Sequence, residues 1–401
     1  MSTPAPIDLA SILNQAVKEQ ASDVHIKSGL PPIMRVYGKL IPLKNHPRLS
    51  PEDVLQAAMK IMNDTQKEVY KKSHQADIAY SVPGLGRFRV NIFQQRGAAG
   101  IVLRVIPVQI LTFEELHLPK VLEKIAQEMR GLILVTGITG SGKSTTLASV
   151  LDHINNNRSC NVISIEDPIE FLHRDKRCII NQREIGVDTN SFAEALRGAL
   201  RQDPDVIMVG EMRDVETIEI ALTAAETGHL VLSTLHTIDA METVNRIVSV
   251  FPPYQQKQIR IQLAGVLKAV ISQRLLPKVD GTSRVPAVEV LVSTSRVREC
   301  IVDKEKTKEI HDAISKGFTT YGMQTFDQSI MSLLKKGHID YDEAIRQATN
   351  PDDFALKFKG ISGGDDSSVW GEGGGEPSGG TGGGTAGGGT GAGGSSGIER
   401  F

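Results

Sequence analysis

The sequence predicts two domains of mixed α/β structure followed by a glycine-rich tail, and three observations carry this prediction. An apolar run at Leu132–Val135 ends in a glycine-rich loop that is followed by a helix, which is the pattern of a strand–loop–helix unit. Strands and helices then alternate as far as residue 234, which indicates a mainly parallel sheet covered by helices. The first hundred residues instead mix short strands with helices, which is typical of a compact α+β domain.

The first domain is predicted over residues 1–106. Apolar residues at helical spacing predict a helix over 7–20, and a second helical stretch is predicted over 51–72. Five segments have strand character, namely 24–27, 33–38, 77–82, 87–93 and 101–107. Pro107 ends the last of these strands, so we expect a linker between the domains at 107–118.

The second domain is predicted over residues 119–361, and its elements alternate in type. The predicted order is strand–loop–helix at 131–157, strand 162–166, helix 191–201, strand 205–210, helix 214–227 and strand 229–234. The segments 254–275 and 294–350 are predicted to be largely helical and to pack beside the sheet. This order predicts a three-layer α/β architecture.

The last forty residues, 362–401, differ in composition from the rest of the chain. They hold 18 of the 38 glycines, together with serine, threonine and acidic residues. Such a segment buries too little apolar surface to offset the entropy lost on ordering. We therefore predict a disordered tail.

Charge and composition exclude several classes of partner. The formal net charge of the 401 residues is −2, so no global basic field favours nucleic acid or an anionic membrane. The N-terminus lacks the features of a signal peptide, and no apolar run approaches the roughly 20 residues that span a bilayer. If the protein serves a membrane machine, we expect it to do so from the cytoplasmic side, peripheral to the membrane.

The three cysteines, Cys160, Cys178 and Cys300, lie far apart in the sequence. Their spacing matches no metal-ligand motif, and their odd number does not suggest a disulfide framework. A reducing cytosol is the compartment that fits this usage best.

The strongest motif is the phosphate loop. The pattern G-x-x-x-x-G-K-[ST] is met in full by Gly137, Gly142, Lys143 and Ser144. Backbone N–H groups along such a loop surround phosphate oxygens, and the candidate binding residues inside it here are Thr139, Gly140 and Ser141. Lys143 can reach the β- and γ-phosphates, and the Ser144 hydroxyl can bind Mg²⁺. The sequence therefore predicts a protein that binds a nucleoside triphosphate, with ATP and Mg²⁺ as cofactors.

Two acidic residues follow predicted strands of the second domain. Glu166 ends the apolar strand in VISIEDPIEF, and Glu211 follows the strand in DVIMVGEMRD. A carboxylate at such a strand end can orient a water molecule or serve Mg²⁺. The alternatives are a solvated acidic turn for Glu166 and an ordinary acid at a helix start for Glu211.

Histidines and arginines supply further candidates. His229 and His236 lie at the two ends of HLVLSTLH, where they could sense the γ-phosphate or could be ordinary core or turn histidines. The first domain carries four candidate arginine fingers that could reach a phosphate, although each could also lie on a solvated strand face: Arg87, Arg89, Arg96 and Arg104. Alternation places Arg87 and Arg89 on one face of their strand.

Taken together, the motifs resemble those of a known family. GITGSGKST, SIEDPIEF, GEMRD and HLVLSTLHT resemble the Walker A, Asp box, Walker B and His box of bacterial secretion ATPases. The likeness is greatest to the type IV pilus retraction ATPases, the PilT/PilU family, and it extends over about residues 7–361. The segments ASDVHI, GRFRVNIF, RQDPDVIMVGE and GMQTFDQ add to it.

The resemblance implies a PAS-like first domain, a RecA-like ATPase domain and a homohexameric ring with nucleotide between the two domains. By position it implies that Lys143, Ser144 and Thr145 bind phosphate and Mg²⁺. It implies that Glu166 and Glu211 are catalytic acids, and we favour Glu166 for the water and Glu211 for the metal. His229 and His236 correspond to the paired box histidines.

The function implied by the resemblance is a motor that couples ATP hydrolysis to pilus disassembly and retraction, as in twitching motility. Implied partners are a platform protein at the inner-membrane base of the pilus and a paralogous retraction ATPase. One departure concerns the AIRNLIRE stretch of these motors, which corresponds here to RVRECIVD at 296–303 and agrees only at Arg298 and Ile301. A PilU-like accessory or regulatory subunit and a pilus-assembly or secretion ATPase therefore stay open as alternatives.

Overall fold

The computed structural model describes residues 7–360 except Lys44, Val108 and Thr282. The predicted disordered tail, 362–401, lies outside the described residues. Two sheets dominate the described part, one of six strands and one of seven. None of the described helices is both long enough and apolar enough to cross a bilayer.

The N-terminal part builds the six-stranded sheet, in the order β3-β2-β1-β6-β5-β4. All its neighbouring strands are antiparallel. Its elements are α1 Leu9–Lys18, β1 Asp23–Lys27, β2 Ile33–Val36, β3 Lys39–Pro42, α2 Pro51–Ile61, α3 Asp64–Ser73, β4 Gln75–Val82, β5 Gly86–Gln95 and β6 Ala98–Val105. The helical stretch predicted over 51–72 is two helices, because Asn63 caps α3 in a capping box with Gln66 and so starts a new helix.

The six-stranded sheet has one apolar and one polar face, as period-two alternation requires. Phe88, Val90 and Ile92 of β5 are fully buried in the first core. On the other face Arg89 lies opposite Arg104, and Arg104 lies opposite Asp23. The register therefore gathers charged side chains into one row.

The C-terminal part builds the seven-stranded sheet, in the order β13-β12-β7-β11-β10-β8-β9. Its first elements are α4 Val121–Ala126, β7 Gly131–Thr136, α5 Lys143–Asn157, β8 Asn161–Glu166, β9 Ile179–Glu184, α6 Phe192–Ala199, β10 Val206–Val209, α7 Val215–Glu226 and β11 Leu230–Leu235. Next come α8 Ala240–Ser249, α9 Pro253–Val266, β12 Leu267–Pro277, β13 Arg284–Val292 and α10 Ser295–Val302. A 3₁₀ helix, Lys304–Glu309, then precedes α11 Ile310–Lys316, α12 Phe318–Tyr321, α13 Phe326–Lys335, α14 Tyr341–Gln347 and α15 Pro351–Phe358.

Six strands of this sheet run parallel, and only β13 is antiparallel to its neighbour. All six residues of β7 are buried, as are all six of β11. The carboxyl ends of parallel strands meet at one edge of a sheet, where α/β proteins bind their ligands. The loops after β7, β8 and β10 therefore converge.

The prediction that 254–275 is helical is wrong in its second half. Helix α9 ends at Val266, and Leu267–Pro277 is strand β12, which pairs with both β7 and β13. The segment LKAVISQRLLP is largely buried on both faces because it lies inside the sheet, and its sequence therefore shows no clear period of two. The edge strands β3 and β9 and the antiparallel β13 were also not predicted.

The structure brings together two cysteines that lie far apart in the sequence. The Sγ atoms of Cys160 and Cys178 are 3.3 Å apart, and both are free thiols. They precede β8 and β9, whose register pairs Asn161 with Ile179. Burial raises the pKa of the Cys160 thiol to about 12. Within the described residues no group of three or more His, Cys, Asp or Glu could hold a metal.

Candidate nucleotide-binding site

The phosphate loop is shaped by its contact with strand β12. Gly137 has φ +144°, and a Cβ added there would lie 2.4 Å from the Gln273 carbonyl oxygen. Gly142 has φ +90°, and a Cβ there would lie 2.7 Å from Gln273 Nε2. Only glycine fits these positions, since other residues add both strain and overlap. Helix α5 begins directly after the loop, so its N-terminus points at the loop concavity.

Lys143 lies inside this loop. Its ammonium donates hydrogen bonds to the carbonyl oxygens of Gly137, at 2.8 Å, and Ile138, at 3.0 Å. Burial lowers the pKa of Lys143, and the charges of Glu170 and Glu211 oppose that effect. A phosphate bound in the loop would be an anionic acceptor for the Lys143 ammonium, in place of these two carbonyl oxygens.

A cavity of about 640 Å³ opens over the loop. The predicted phosphate-binding residues that line it are Thr139, Gly140, Gly142, Lys143, Ser144 and Thr145. Gly137 and Ser141 do not line it, because Gly137 packs under the loop against β12 and Ser141 is buried beside it. Glu166, Glu211, His236 and Arg104 also line it, so the structure gathers predicted residues from five separate segments.

Glu166 is almost completely enclosed. Its Oε1 accepts hydrogen bonds from Ser164 Oγ at 2.8 Å and Gln182 Nε2 at 3.0 Å, and its Oε2 accepts one from the Glu170 N–H at 3.4 Å. Burial raises the pKa of this carboxyl, and the three hydrogen bonds act in the opposite direction. A carboxylate with a raised pKa inside a phosphate-binding cavity is a candidate general base.

Glu211 lies at the end of β10 and is more accessible than Glu166. Its carboxylate is 2.7 Å from Arg213 Nε and 3.5 Å from His236 Nε2. Gly210 precedes it, and a Cβ added at Gly210 would lie 3.4 Å from the Cα of Glu166. The two acids therefore lie at the carboxyl ends of adjacent strands, since Glu166 ends β8 and Glu211 follows β10 by two residues.

The structure does not bring the two predicted histidines together. His236 follows β11 at the edge that carries the phosphate loop, since Leu235 lies opposite Thr136. His229 precedes β11 at the opposite edge, roughly 20 Å away by strand rise, where its Nδ1 is 2.9 Å from the Ala224 carbonyl oxygen. Of these two histidines, His236 alone lines the cavity in the described chain.

The four candidate arginines have different positions. Arg104 lines the cavity and is 3.0 Å from Asp23 Oδ1. Arg87 forms an ion pair with Glu184 at 2.9 Å, and the two side chains are 18% and 5% exposed. Arg89 is exposed and lies opposite Arg104 in the register. Arg96, with φ +47°, occupies the turn between β5 and β6 and does not line the cavity.

Several wall residues were missed at the level of the sequence. Arg213 follows Glu211 in the same motif and could have been named from it. Arg284 begins β13 and His173 lies in the loop after β8, and both line the cavity. These residues were missed because β13 was not predicted and the loop after β8 carries no local motif beyond its acids.

A phosphate loop after an internal strand of a mainly parallel sheet, with two acids at the ends of two nearby strands, defines a P-loop ATPase with a RecA-like core. The family model for type II/IV secretion system proteins matches residues 2–346. The chain is 46% identical over 348 residues to the type IV pilus retraction ATPase PilT of Pseudomonas aeruginosa, a match that covers 87% of this chain and 100% of that protein.

The same organism's type IV pilus ATPase PilU is 41% identical over 355 residues, which cover 88% of this chain and 92% of that protein. A crystal structure of the pilus retraction motor PilT with bound ADP matches with a TM-score of 0.80 at 45% identity, covering 86% of this chain and 98% of that one. The chain therefore belongs to the type II/IV secretion system protein family. It is a nucleotide-using ATPase of that family, and the predicted fold class is confirmed.

Proposed function

We propose that this protein is a motor ATPase that couples ATP hydrolysis to the disassembly and retraction of a type IV pilus. The identity of 46% over the full length of PilT carries the proposal. The cavity supports it, because the phosphate loop, both acids and an N-terminal arginine line it. The proposal includes action at the cytoplasmic side of the inner-membrane base of the pilus, against a membrane platform protein.

The residues at the cavity suggest how hydrolysis proceeds. The loop N–H groups hold the β- and γ-phosphates, and Lys143 exchanges its bonds to the two loop carbonyls for the γ-phosphate. Glu166 accepts a proton from the water molecule that attacks the γ-phosphorus. The bond from the γ-phosphorus to the bridging oxygen breaks, and ADP and phosphate leave.

Mg²⁺ is compatible with the donor set of the cavity. Ser144 and Glu211 both line it and offer the hydroxyl and carboxylate oxygens that Mg²⁺ prefers. These two residues would hold the ion, together with phosphate oxygens of the nucleotide. When bound, Mg²⁺ would offset the negative charge that develops on the phosphates.

A homohexameric ring is part of the proposal. Arg104 places the N-terminal sheet at the wall of the cavity, so movement of that sheet would change the charge around the phosphates. Arg89 is exposed on the same face and is available to a neighbouring subunit. Light scattering on the purified protein measures the subunit number directly, and a stable monomer at all nucleotide concentrations would contradict this part.

The central test combines chemistry with a cellular readout. Lys143→Ala is expected to abolish ATP turnover, because the charge that stabilises the transferring phosphoryl group is lost. Cells that lack the gene should stop retracting pili, and the wild-type gene but not the Lys143→Ala form should restore retraction. Full restoration by the variant would show that retraction does not depend on this site.

The two acids can be assigned by separate variants. Glu166→Gln and Glu211→Gln are each expected to lower kcat by about 100-fold or more, while ADP still binds. Weaker dependence on Mg²⁺ concentration in Glu211→Gln alone would support the assignment of that residue to the metal. Turnover near the wild-type rate in both variants would remove the assignments.

A PilU-like accessory motor is the second candidate function. It is favoured by the 41% identity to PilU and by the sequence RVRECIVD, which departs from the corresponding stretch of the retraction motors. This stretch is largely helix α10. An accessory motor would support retraction only in cells that also contain the paralogous motor, so a double deletion complemented with this gene alone separates the two candidates.

A further inference from the structure

The side chain of Gln182 connects the candidate base Glu166 to the loop that follows it. Gln182 lies on the edge strand β9, opposite Ser164 of β8 and two residues before the partner of Glu166 in the register. Its Nε2 donates to Glu166 Oε1 at 3.0 Å and to the Phe171 carbonyl oxygen at 2.9 Å. Its Oε1 accepts from the His173 backbone N–H at 2.9 Å.

These three bonds fix the orientation of the amide. A side-chain amide offers two N–H donors and one carbonyl oxygen. Here both donors meet acceptors and the oxygen meets a backbone donor, so the flipped amide would face three repulsive contacts. Gln182 is therefore held in a single orientation by the loop at 171–173.

The same bonds select one oxygen of Glu166. Oε1 receives both side-chain donors, from Ser164 and Gln182, whereas Oε2 receives only the long 3.4 Å contact from the Glu170 N–H. Oε2 is thus the oxygen with lone pairs left for a water molecule. Glu170, Phe171 and His173 all line the nucleotide cavity, so the loop that holds Gln182 also contacts the space for the ligand.

We propose that Gln182 is a positioning residue for hydrolysis, which presents Oε2 of Glu166 to the attacking water and couples its orientation to the cavity loop at 170–173. This inference rests on the proposed role of Glu166 as the base. It predicts that the amide acts on the chemical step and not on nucleotide binding. Displacement of the loop at 170–173 by a bound nucleotide would be transmitted by Gln182 to the carboxylate of Glu166 and would change its orientation.

The test replaces the amide by a side chain of similar length that forms no hydrogen bonds. Gln182→Met is expected to lower kcat for ATP at neutral pH by at least about 10-fold, with the Kd for ADP within about 3-fold of wild type. The acid limb of the kcat profile should move to higher pH, because a bond that favours the ionised carboxylate is gone. Asn181→Ala, which removes an exposed amide from the same strand, is the matched control and should leave kcat and the pH profile unchanged.

The results for Gln182→Met and Glu166→Gln together distinguish this inference from the proposed function. A low kcat in Gln182→Met with an unshifted pH profile and a lowered melting temperature would show a structural role only, and would overturn the inference. If Glu166→Gln is inactive but Gln182→Met turns over like wild type, the inference fails and the proposed function stands. If Glu166→Gln itself is active, both fail. In the Glu166→Gln background the Gln182→Met change should have no further effect on kcat.

Discussion

At the scale of single residues, Glu289 is a buried acid outside the cavity wall. It lies on β13 and is 3% exposed, and its Oε1 accepts a hydrogen bond of 2.9 Å from the Ala240 N–H at the start of α8. Burial raises the pKa of this carboxyl to about 7, and the charge of Asp239 adds to that effect. The Ala240 N–H, Arg274 and Ser272 act in the opposite direction.

This raised pKa predicts a pH-dependent stability. Because the folded state holds a proton on Glu289 that the unfolded state has lost, the free energy of unfolding should fall as pH rises from about 4.5 to about 7. Glu289→Gln keeps an acceptor for Ala240 and removes this titration. The free energy of unfolding of this variant should therefore increase relative to that of the wild type across that pH window and stay higher above it. The expected difference is about 1.4 kcal/mol per unit of pKa shift, and it should appear as a higher melting temperature.

Thermal melts at pH 5, 6, 7 and 8 check this expectation. The exposed acid Glu219, changed to Gln, is the matched control and should run parallel to the wild type. Equal pH slopes for Glu289→Gln and the wild type would contradict the raised pKa.

The residues of the site differ in how far the sequence could reveal them. The phosphate loop is a contiguous segment, so its local sequence is enough to indicate its geometry. The placement of Glu166 and Glu211 follows from the rule that the carboxyl ends of parallel strands meet at one edge of a sheet. Gln182 and Arg284 reach the site from β9 and β13, whose pairing is set by contacts distant in sequence. His229 and His236 lie at opposite ends of β11, and a role for His229 stays a prediction.

At the scale of elements, the contact between the phosphate loop and β12 sets a limit on substitution. Gly137→Ala is expected to destabilise the protein and abolish ADP binding, because the new methyl group would overlap the Gln273 carbonyl oxygen. Gly140→Ala is the matched control within the loop, since its φ is also positive but nothing lies within 4 Å of its Cβ. Melting temperatures without nucleotide separate the two, and equal losses would contradict the overlap.

The elements also show why the fold could be predicted only in part. Alternating strands and helices from 131 to 235 have clear boundaries, because glycine, proline or polar residues separate them. Strand β12 directly continues from helix α9 without a turn, so no local signal separates them and the pairing with β7 decides the structure of β12. The charged strand β9 lies at an edge with much of its surface exposed, and its polar sequence does not predict a strand.

The N-terminal sheet is expected to be required for catalysis but not for binding. The phosphate loop and both acids lie within residues 115–361, whereas Arg104 reaches the cavity from β6. The isolated fragment 115–361 should therefore bind ADP but hydrolyse ATP poorly. Equilibrium binding and steady-state turnover measure the two properties, and full activity of a monomeric fragment would exclude a role for the N-terminal arginines.

At the scale of the whole molecule, all the residues that line the cavity come from the part of the sequence between Arg104 and Arg284, which does not include the C-terminal tail. Deletion of residues 362–401 is thus expected to leave the melting temperature and the ATPase rate unchanged. Calorimetry and turnover on the truncated protein check this. Loss of activity or assembly would show that the tail is a structural part of the motor.

The position of β7 inside the large sheet has a consequence for biosynthesis. Thr136 bonds to Ser272 at 3.1 Å and Thr146 to Gln273 at 2.7 Å, so the phosphate loop rests on a strand made more than 120 residues later. At about 5–20 residues per second, a ribosome needs roughly 6–28 s to reach β12 after the loop is made. The emerging chain therefore lacks the strand that supports its phosphate loop until β12 has been made, and nucleotide is expected to stabilise only chains that extend beyond that strand.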